Sequence, residues 1–235
     1  MNTSALFERF YFSRPDYVSG TTRFHRLIIG SIRKHSSILE IGAGPSNPTS
    51  NFLSTLGPVT GLDIEPVSNE ALSGFKVFDG LRFPVDDCSF DTCVSNYVLE
   101  HVPNAEVHFQ EISRVLKPGG TYFFRTPNIW HYVTIGSRLL PHSAHVAIAN
   151  RLRGLKDAHD PYPTVYRANS RAAISRLTNQ SRLVPVRLEM IEAEPSYGAA
   201  HPLLFYPMMA WERFVNRFQR ASMFRANILG MIVKP

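Results

Sequence analysis

Between Ile38 and Ser46 the chain reads Ile-Leu-Glu-Ile-Gly-Ala-Gly-Pro-Ser, a short apolar run that breaks into Gly42 and Gly44. Glycines at such a turn let the backbone approach a ligand where a Cβ would collide. A turn at the carboxyl end of a strand is also where open α/β sheets bind ligands. Read as a dinucleotide fingerprint the turn is imperfect, because Asn47 occupies the place of the third glycine. Asp63 lies 19 residues after Gly44, suitably placed to bind ribose hydroxyls. Glu40 precedes the glycines, where a carboxylate can serve an ammonium group. Asp79-Gly80 offers an acidic side chain that can accept from an adenine amino group, and Phe90–Asn96 ends in a polar group.

These residues need elements that bring them to one edge. Strand-like runs occur at Ser37–Ile41, Val59–Ile64, Phe75–Phe78, Phe90–Asn96 and Thr121–Thr126. Helical patterns occupy Thr21–Lys34, Asn47–Leu56 and Ala105–Leu116, the last stopped by Lys117-Pro118-Gly119-Gly120. Strands alternating with helices argue for a parallel, doubly wound α/β sheet. After an irregular stretch the pattern resumes with a helix over Ser170–Gln180, a strand over Leu183–Ile191, a helix around Leu203–Phe218 and a strand at Ala226–Val233. The expected architecture is a Rossmann-like sheet of seven strands, mostly parallel with an antiparallel last strand. It forms one domain over residues 1–235, with residues 127–168 as a substrate-capping insertion after strand five.

In this order the motifs resemble those of the class I S-adenosylmethionine-dependent methyltransferases, of the small-molecule and quinone-pathway type. Ile38–Gly44 resembles motif I, and Val59–Ile64, Phe78–Pro84, Phe90–Val102 and Val115–Asn128 are similar to the later motifs. The resemblance implies S-adenosylmethionine as cofactor. It implies that Glu40, Gly42 and Gly44 line its methionine end, and that Asp63 binds the ribose with Ile64 beside the adenine. Asp79 and Gly80 would meet the adenine edge, and Asn96 and Tyr97 would lie beneath the sulfonium. The family often has a glycine where this chain has Ser46. Some quinone-pathway relatives hold a divalent metal with a stretch like Glu100-His101 and an acidic residue three positions earlier. Tyr97 stands there in this chain, so no metal is expected.

The segment 127–168 carries His131, Tyr132, His142, His145, His159, Tyr162 and Tyr166. Histidine and tyrosine relay protons near neutral pH, so His131 and Tyr132, nearest the strand end, and His101 are the candidate catalytic residues. The expected reaction is methyl transfer to an O or N atom of a small molecule, a specialised metabolite or a glycan-type precursor. The rival readings are a nicotinamide-dependent oxidoreductase on the same fold and a non-catalytic cofactor-binding module. The strand-four end, Ser95-Asn96-Tyr97-Val98, lacks the Asn/Asp-Pro-Pro-aromatic signature of base methylation, so no nucleic-acid partner is expected.

Charge is uneven along the 235 residues. Residues 1–130 hold 11 Lys/Arg against 13 Asp/Glu, a net of −2, whereas residues 131–235 hold 14 against 6, a net of +8. Such a basic half suits an acidic acceptor or peripheral contact with an anionic membrane. Arg213, Arg217 and Arg220 recur at helical spacing, opposite an expected inward apolar side of Trp211, Phe214, Val215 and Phe218. Cys88 and Cys93 form no CxxC pair or disulfide framework, and the N-terminus has no signal-peptide core. A cytoplasmic location is the expectation.

Overall fold

The computed structural model describes residues 3–33, 35–139, 162–195, 198 and 201–235. These divide into two compact units. One is drawn from Met1–Arg23, Asn128–Pro163 and Met190–Asn227, the other from Phe24–Pro127, Thr164–Glu189 and Ile228–Pro235.

The second unit is organised by a seven-stranded sheet of order β3-β2-β1-β4-β5-β7-β6, Rossmann-like with an antiparallel last strand. Its strands are β1 (Ile38–Ile41), β2 (Val59–Asp63), β3 (Gly74–Val77), β4 (Phe90–Asn96), β5 (Leu116–Pro127), β6 (Val184–Ile191) and β7 (Asn227–Val233). Strand β1 is buried throughout and pairs in parallel with β2 and β4, setting Glu40 between Gly61 and Val94. Parallel pairing of β4 with β5 sets Asn96 beside Arg125. The 2.8 Å bond from the Gly119 N–H to the Lys234 carbonyl, answered by Lys234 to Gly120, ties the end of the chain to the start of β5. Gly230 on β7 is required by packing, since a Cβ there would stand 2.0 Å from the Phe124 ring.

Helices follow the strands: α2 (Gly20–Ile29) before β1, α3 (Pro48–Ser54), α4 (Ala105–Val115) and α6 (Arg171–Gln180). Phe109, Ile112 and Val115 of α4 are fully buried, as are Ile38, Leu39, Val94, Tyr122 and Phe123. Cys93 is buried with them, and burial pushes its thiol pKa up; Cys88 is exposed. The start of β5 departs furthest from expectation. Lys117–Gly120 does not stop the chain before β5 but is its first part: Gly119 takes φ +76°, and an irregularity between Phe90 and Thr92 absorbs the kink.

At the opposite edge from the glycine turn, Asp91 accepts from the Ser37 hydroxyl and N–H and from Lys117 at 2.7–2.9 Å. Burial pushes the Asp91 carboxyl up, but these donors outweigh it and hold its pKa at about 2.

The first unit is held by aromatic packing. Its helices are α1 (Thr3–Phe7), continued by a π-helical turn to Phe12, α5 (Tyr132–Leu139) and α7 (Pro202–Arg217), followed by a 3-10 turn to Phe224. Phe205 of α7 is fully buried against Phe7, with ring centroids 5.1 Å apart, and also meets Phe10 and Tyr11. This contact turns Phe205 and Val215 inward and leaves Phe214 and Phe218 about half exposed, so the expected inward apolar side of α7 is corrected. Among the described residues no helix is long and apolar enough to cross a membrane.

Candidate cofactor site

Parallel pairing of β1, β2 and β4 puts their carboxyl ends, and the residues that follow them, along one edge of the sheet. The β1 turn is built for left-handed backbone. Gly42 has φ +67°, and a Cβ on it would lie 2.4 Å from Val98 Cγ2, so only glycine fits. Gly44 has φ +58°, and a Cβ there would meet nothing within 4 Å. The space above the second glycine is therefore open.

Asn47 does not replace a missing glycine; it starts α3. Its Oδ1 accepts from the Thr49 and Ser50 N–H groups at 2.9 and 3.0 Å, and its Nδ2 donates to the Ala43 carbonyl at 2.7 Å. Pro48 follows at the first helical position, where its absent N–H costs nothing. Asn69 braces the same turn through the Gly44 carbonyl and the Ser50 hydroxyl. Asparagine at a helix start followed by proline was the signal that could have revealed this cap.

Glu40 lies beneath the turn with 3% of its surface exposed. Its Oε2 is buried without a hydrogen-bond partner. Burial raises its pKa to about 7, opposed by a bond from the Ser50 hydroxyl. A buried carboxylate oxygen with no donor is a site that a cation with N–H groups would satisfy.

Asp63 ends β2. Its Oδ2 accepts from the Gly44 N–H at 2.9 Å and its Oδ1 from the Ile64 N–H at 2.7 Å. A carboxylate has about four acceptor positions, so capacity remains for hydroxyls. Ile64 beside it is exposed by 47%, and Gly80, with φ +80°, brings its Cα face near the Ile64 side chain. Asp79 is exposed and accepts from the Leu81 and Arg82 N–H groups at 2.8 and 2.9 Å. The Arg82 and Leu81 donors hold its carboxyl below the usual range.

At the end of β4, Asn96 donates to the Thr49 hydroxyl at 2.9 Å and accepts from Arg125 Nε at 2.8 Å. Tyr97 is held at φ +60°, an uncommon conformation for a bulky side chain that costs roughly 1–3 kcal/mol. Its N–H donates to the Arg125 carbonyl, and the Arg125 guanidinium lies 4.5 Å from its ring centroid. Sequence reasoning missed Arg125, which is buried; its signal was a lone charge in the run Thr121–Thr126.

The candidate catalytic residues fall in different units. His101 belongs to the sheet unit, with Nε2 4.0 Å from Glu100 Oε1 and its side chain 28% exposed. His131 and Tyr132 belong to the first unit. His131 is buried, its Nε2 3.6 Å from Glu192 Oε2, and the Tyr132 ring packs edge-on against Trp211. His142, His145 and His159 lie outside the described residues, whereas Tyr162 is exposed and Tyr166 follows the backbone bond from Val165 to Glu100. Among the described residues no cluster of three His, Cys, Asp or Glu could hold a metal ion.

The orphaned Glu40 oxygen, the open space at Gly44 and the exposed Ile64 face together fit the ammonium, ribose and adenine groups of S-adenosylmethionine. Comparisons agree. Residues 39–124 match the family described as "Methyltransferase domain". A ubiquinone biosynthesis O-methyltransferase of Nitrosococcus oceani is 31% identical over 140 residues, 48% of this chain and 58% of the relative. A sterol 4-C-methyltransferase of Caenorhabditis elegans is 29% identical over 96 residues, 36% of this chain and 29% of the relative. The chain thus spans less than two thirds of the length of these curated relatives. Among solved structures, a SAM-dependent methyltransferase of Methanosarcina mazei has the same fold, with TM-score 0.56 at 18% identity, covering 88% of this chain and 96% of that one. Residues 39–124 thus match a methyltransferase-domain family, and the fold is the one seen in class I, Rossmann-like S-adenosylmethionine-dependent methyltransferases.

Proposed function

We propose that this protein transfers a methyl group from S-adenosylmethionine to an oxygen or nitrogen atom of a small molecule. The observation that carries the reading is the buried Glu40 oxygen without a donor, two residues before Gly42 of the open glycine turn. An ammonium group satisfies that oxygen and favours the ionised carboxylate. Asp63 would take the ribose hydroxyls, Ile64, Asp79 and Gly80 the adenine, and Asn96 and Tyr97 the region of the reacting centre. When bound, S-adenosylmethionine supplies a methyl group already activated by a positive sulfur.

What the chain's own residues must add is alignment and exclusion of water, which can lower a barrier by several kcal/mol. The stacked and hydrogen-bonded Arg125–Asn96–Tyr97 group is fixed for that purpose. An oxygen acceptor also gains from a base, whereas an amine needs only to arrive neutral. His101, His131 and Tyr132 are the proposed bases, and partial exposure favours His101. Residues 127–168 are proposed to shape the acceptor site, on their position in the chain immediately after β5. The name of the Nitrosococcus relative supports an oxygen acceptor, while the sterol relative makes carbon the rival atom.

A panel of phenols, alcohols, amines and carbon acids incubated with methyl-labelled cofactor tests the reading. Label should pass to a hydroxyl or amine, and His101→Ala should lower turnover on the hydroxyl while sparing cofactor affinity. Transfer only to carbon would overturn the choice of atom.

A further inference from the structure

One side of α7 has large apolar groups and arginines set together in water. Leu203 is 78% exposed, Tyr206 47% and Phe214 49%, and Arg213 and Arg217 are exposed beside them. With Pro207 and Ala210 these positions recur three and four apart, so they form one continuous stripe along the helix. Beyond the end of α7, Phe218, 54% exposed, sits at the extended cap and the exposed Arg220 in the 3-10 turn that follows. Core packing does not account for the stripe. The core-facing side of α7 is already occupied by Phe205 and Val215.

Charge on this side has one sign. The carboxylate of α7, Glu212, is engaged elsewhere, accepting from the Tyr11 hydroxyl at 2.9 Å and from Asn216 at 2.6 Å. Among the described residues Arg213, Arg217 and Arg220 make no salt bridge. Arg213 instead lies over the Phe10 ring, and Phe10 meets Tyr206 edge-on, which joins the N-terminal turn to the same patch.

We propose that this face of α7 docks on an anionic lipid bilayer. Arginines alone would suit any polyanion. Bulky apolar side chains interleaved with them match the boundary between headgroups and acyl chains, where an amphipathic helix lies in the plane of the membrane. Arginines attract the anionic headgroups, and Leu203, Tyr206, Phe214 and Phe218 enter the boundary region. The helix lies on the membrane without crossing it.

The test is co-sedimentation of the full chain with vesicles of phosphatidylcholine, with and without 30% phosphatidylglycerol. Binding should require the anionic lipid and weaken with salt. Arg213→Gln, Arg217→Gln and Arg220→Gln combined should weaken it by at least about tenfold, since each basic group near such a surface contributes appreciably. Leu203→Ser with Phe214→Ser, both at exposed positions, should weaken it several-fold while leaving the melting temperature and cofactor affinity unchanged. Absence of binding to anionic vesicles at low salt, or binding that either set of substitutions leaves intact, would overturn the proposal. So would a dimer in solution that Leu203→Ser dissociates, which would assign the face to a second copy. Tighter binding to RNA than to vesicles would assign it to nucleic acid.

Discussion

The Asp63 carboxylate closes the glycine turn from the neighbouring strand, its Oδ2 accepting from the Gly44 N–H at 2.9 Å. A residue expected to serve only the ribose therefore also fixes the loop over which the cofactor would lie. Two effects should appear together in Asp63→Ala. Cofactor affinity should fall by about 1–3 kcal/mol, the usual cost of leaving polar partners unmatched, and the melting temperature should fall as well. Asp63→Asn retains one acceptor oxygen and should lie between. Calorimetry and thermal unfolding on the same samples check both, and a change in affinity without loss of stability would show that the bond to Gly44 is idle.

Glu40 makes binding and stability depend on pH. Its carboxyl is raised to about 7 by burial, above the ordinary glutamate value, so the folded chain holds a proton that the unfolded chain releases. Below about pH 4.5 the carboxyl is protonated in both states and burial carries no charge penalty, and the fold loses stability as pH rises from there to about 7. The total is of order 3 kcal/mol. Cofactor binding runs the other way: pairing with an ammonium needs the carboxylate, so affinity should rise between pH 5.5 and 7 and protons should be released on binding. Glu40→Gln should remove the proton release and flatten both profiles. Titrations in buffers of different ionisation enthalpy measure it, and equal proton release from the variant would contradict the assignment.

Arg125 is held by the groups it holds: its Nε donates to Asn96 and its guanidinium covers the Tyr97 ring. Arg125→Leu should cost about 1–3 kcal/mol in urea unfolding, because the Asn96 oxygen loses its donor. Lysine at the same position restores the charge but not the flat stacked surface, so Arg125→Lys should recover only part of the loss. Full recovery would mean that charge alone matters there.

Much of the fold was legible because strands buried on both faces read as plain apolar runs. Phe90–Asn96 was bounded correctly, and β1, β2 and β7 differ from expectation by a residue or so. The start of β5 was hidden because Lys-Pro-Gly-Gly carries the local signals of a stop, while the sheet continues through a kink that only the pairing with Phe90 and the bonds to Lys234 impose. Asn47 was compared with a glycine pattern when its role was that of a helix cap. The orientation of α7 depended on Phe205 meeting Phe7, nearly 200 residues away in sequence, and helical periodicity alone could not choose between its two apolar sides. Arg125 escaped notice for a similar reason, since its partners Asn96 and Tyr97 come from another strand.

Calorimetry of the full chain against S-adenosylhomocysteine and NADH decides whether the edge formed by Glu40, Gly42, Gly44 and Asp63 holds S-adenosylmethionine. S-adenosylhomocysteine carries the same ammonium, ribose and adenine without the reactive methyl group. One-to-one binding of S-adenosylhomocysteine in the micromolar range, weakened by Glu40→Gln, is expected, with no heat from NADH. Tight binding of NADH with no response to S-adenosylhomocysteine would contradict the assignment.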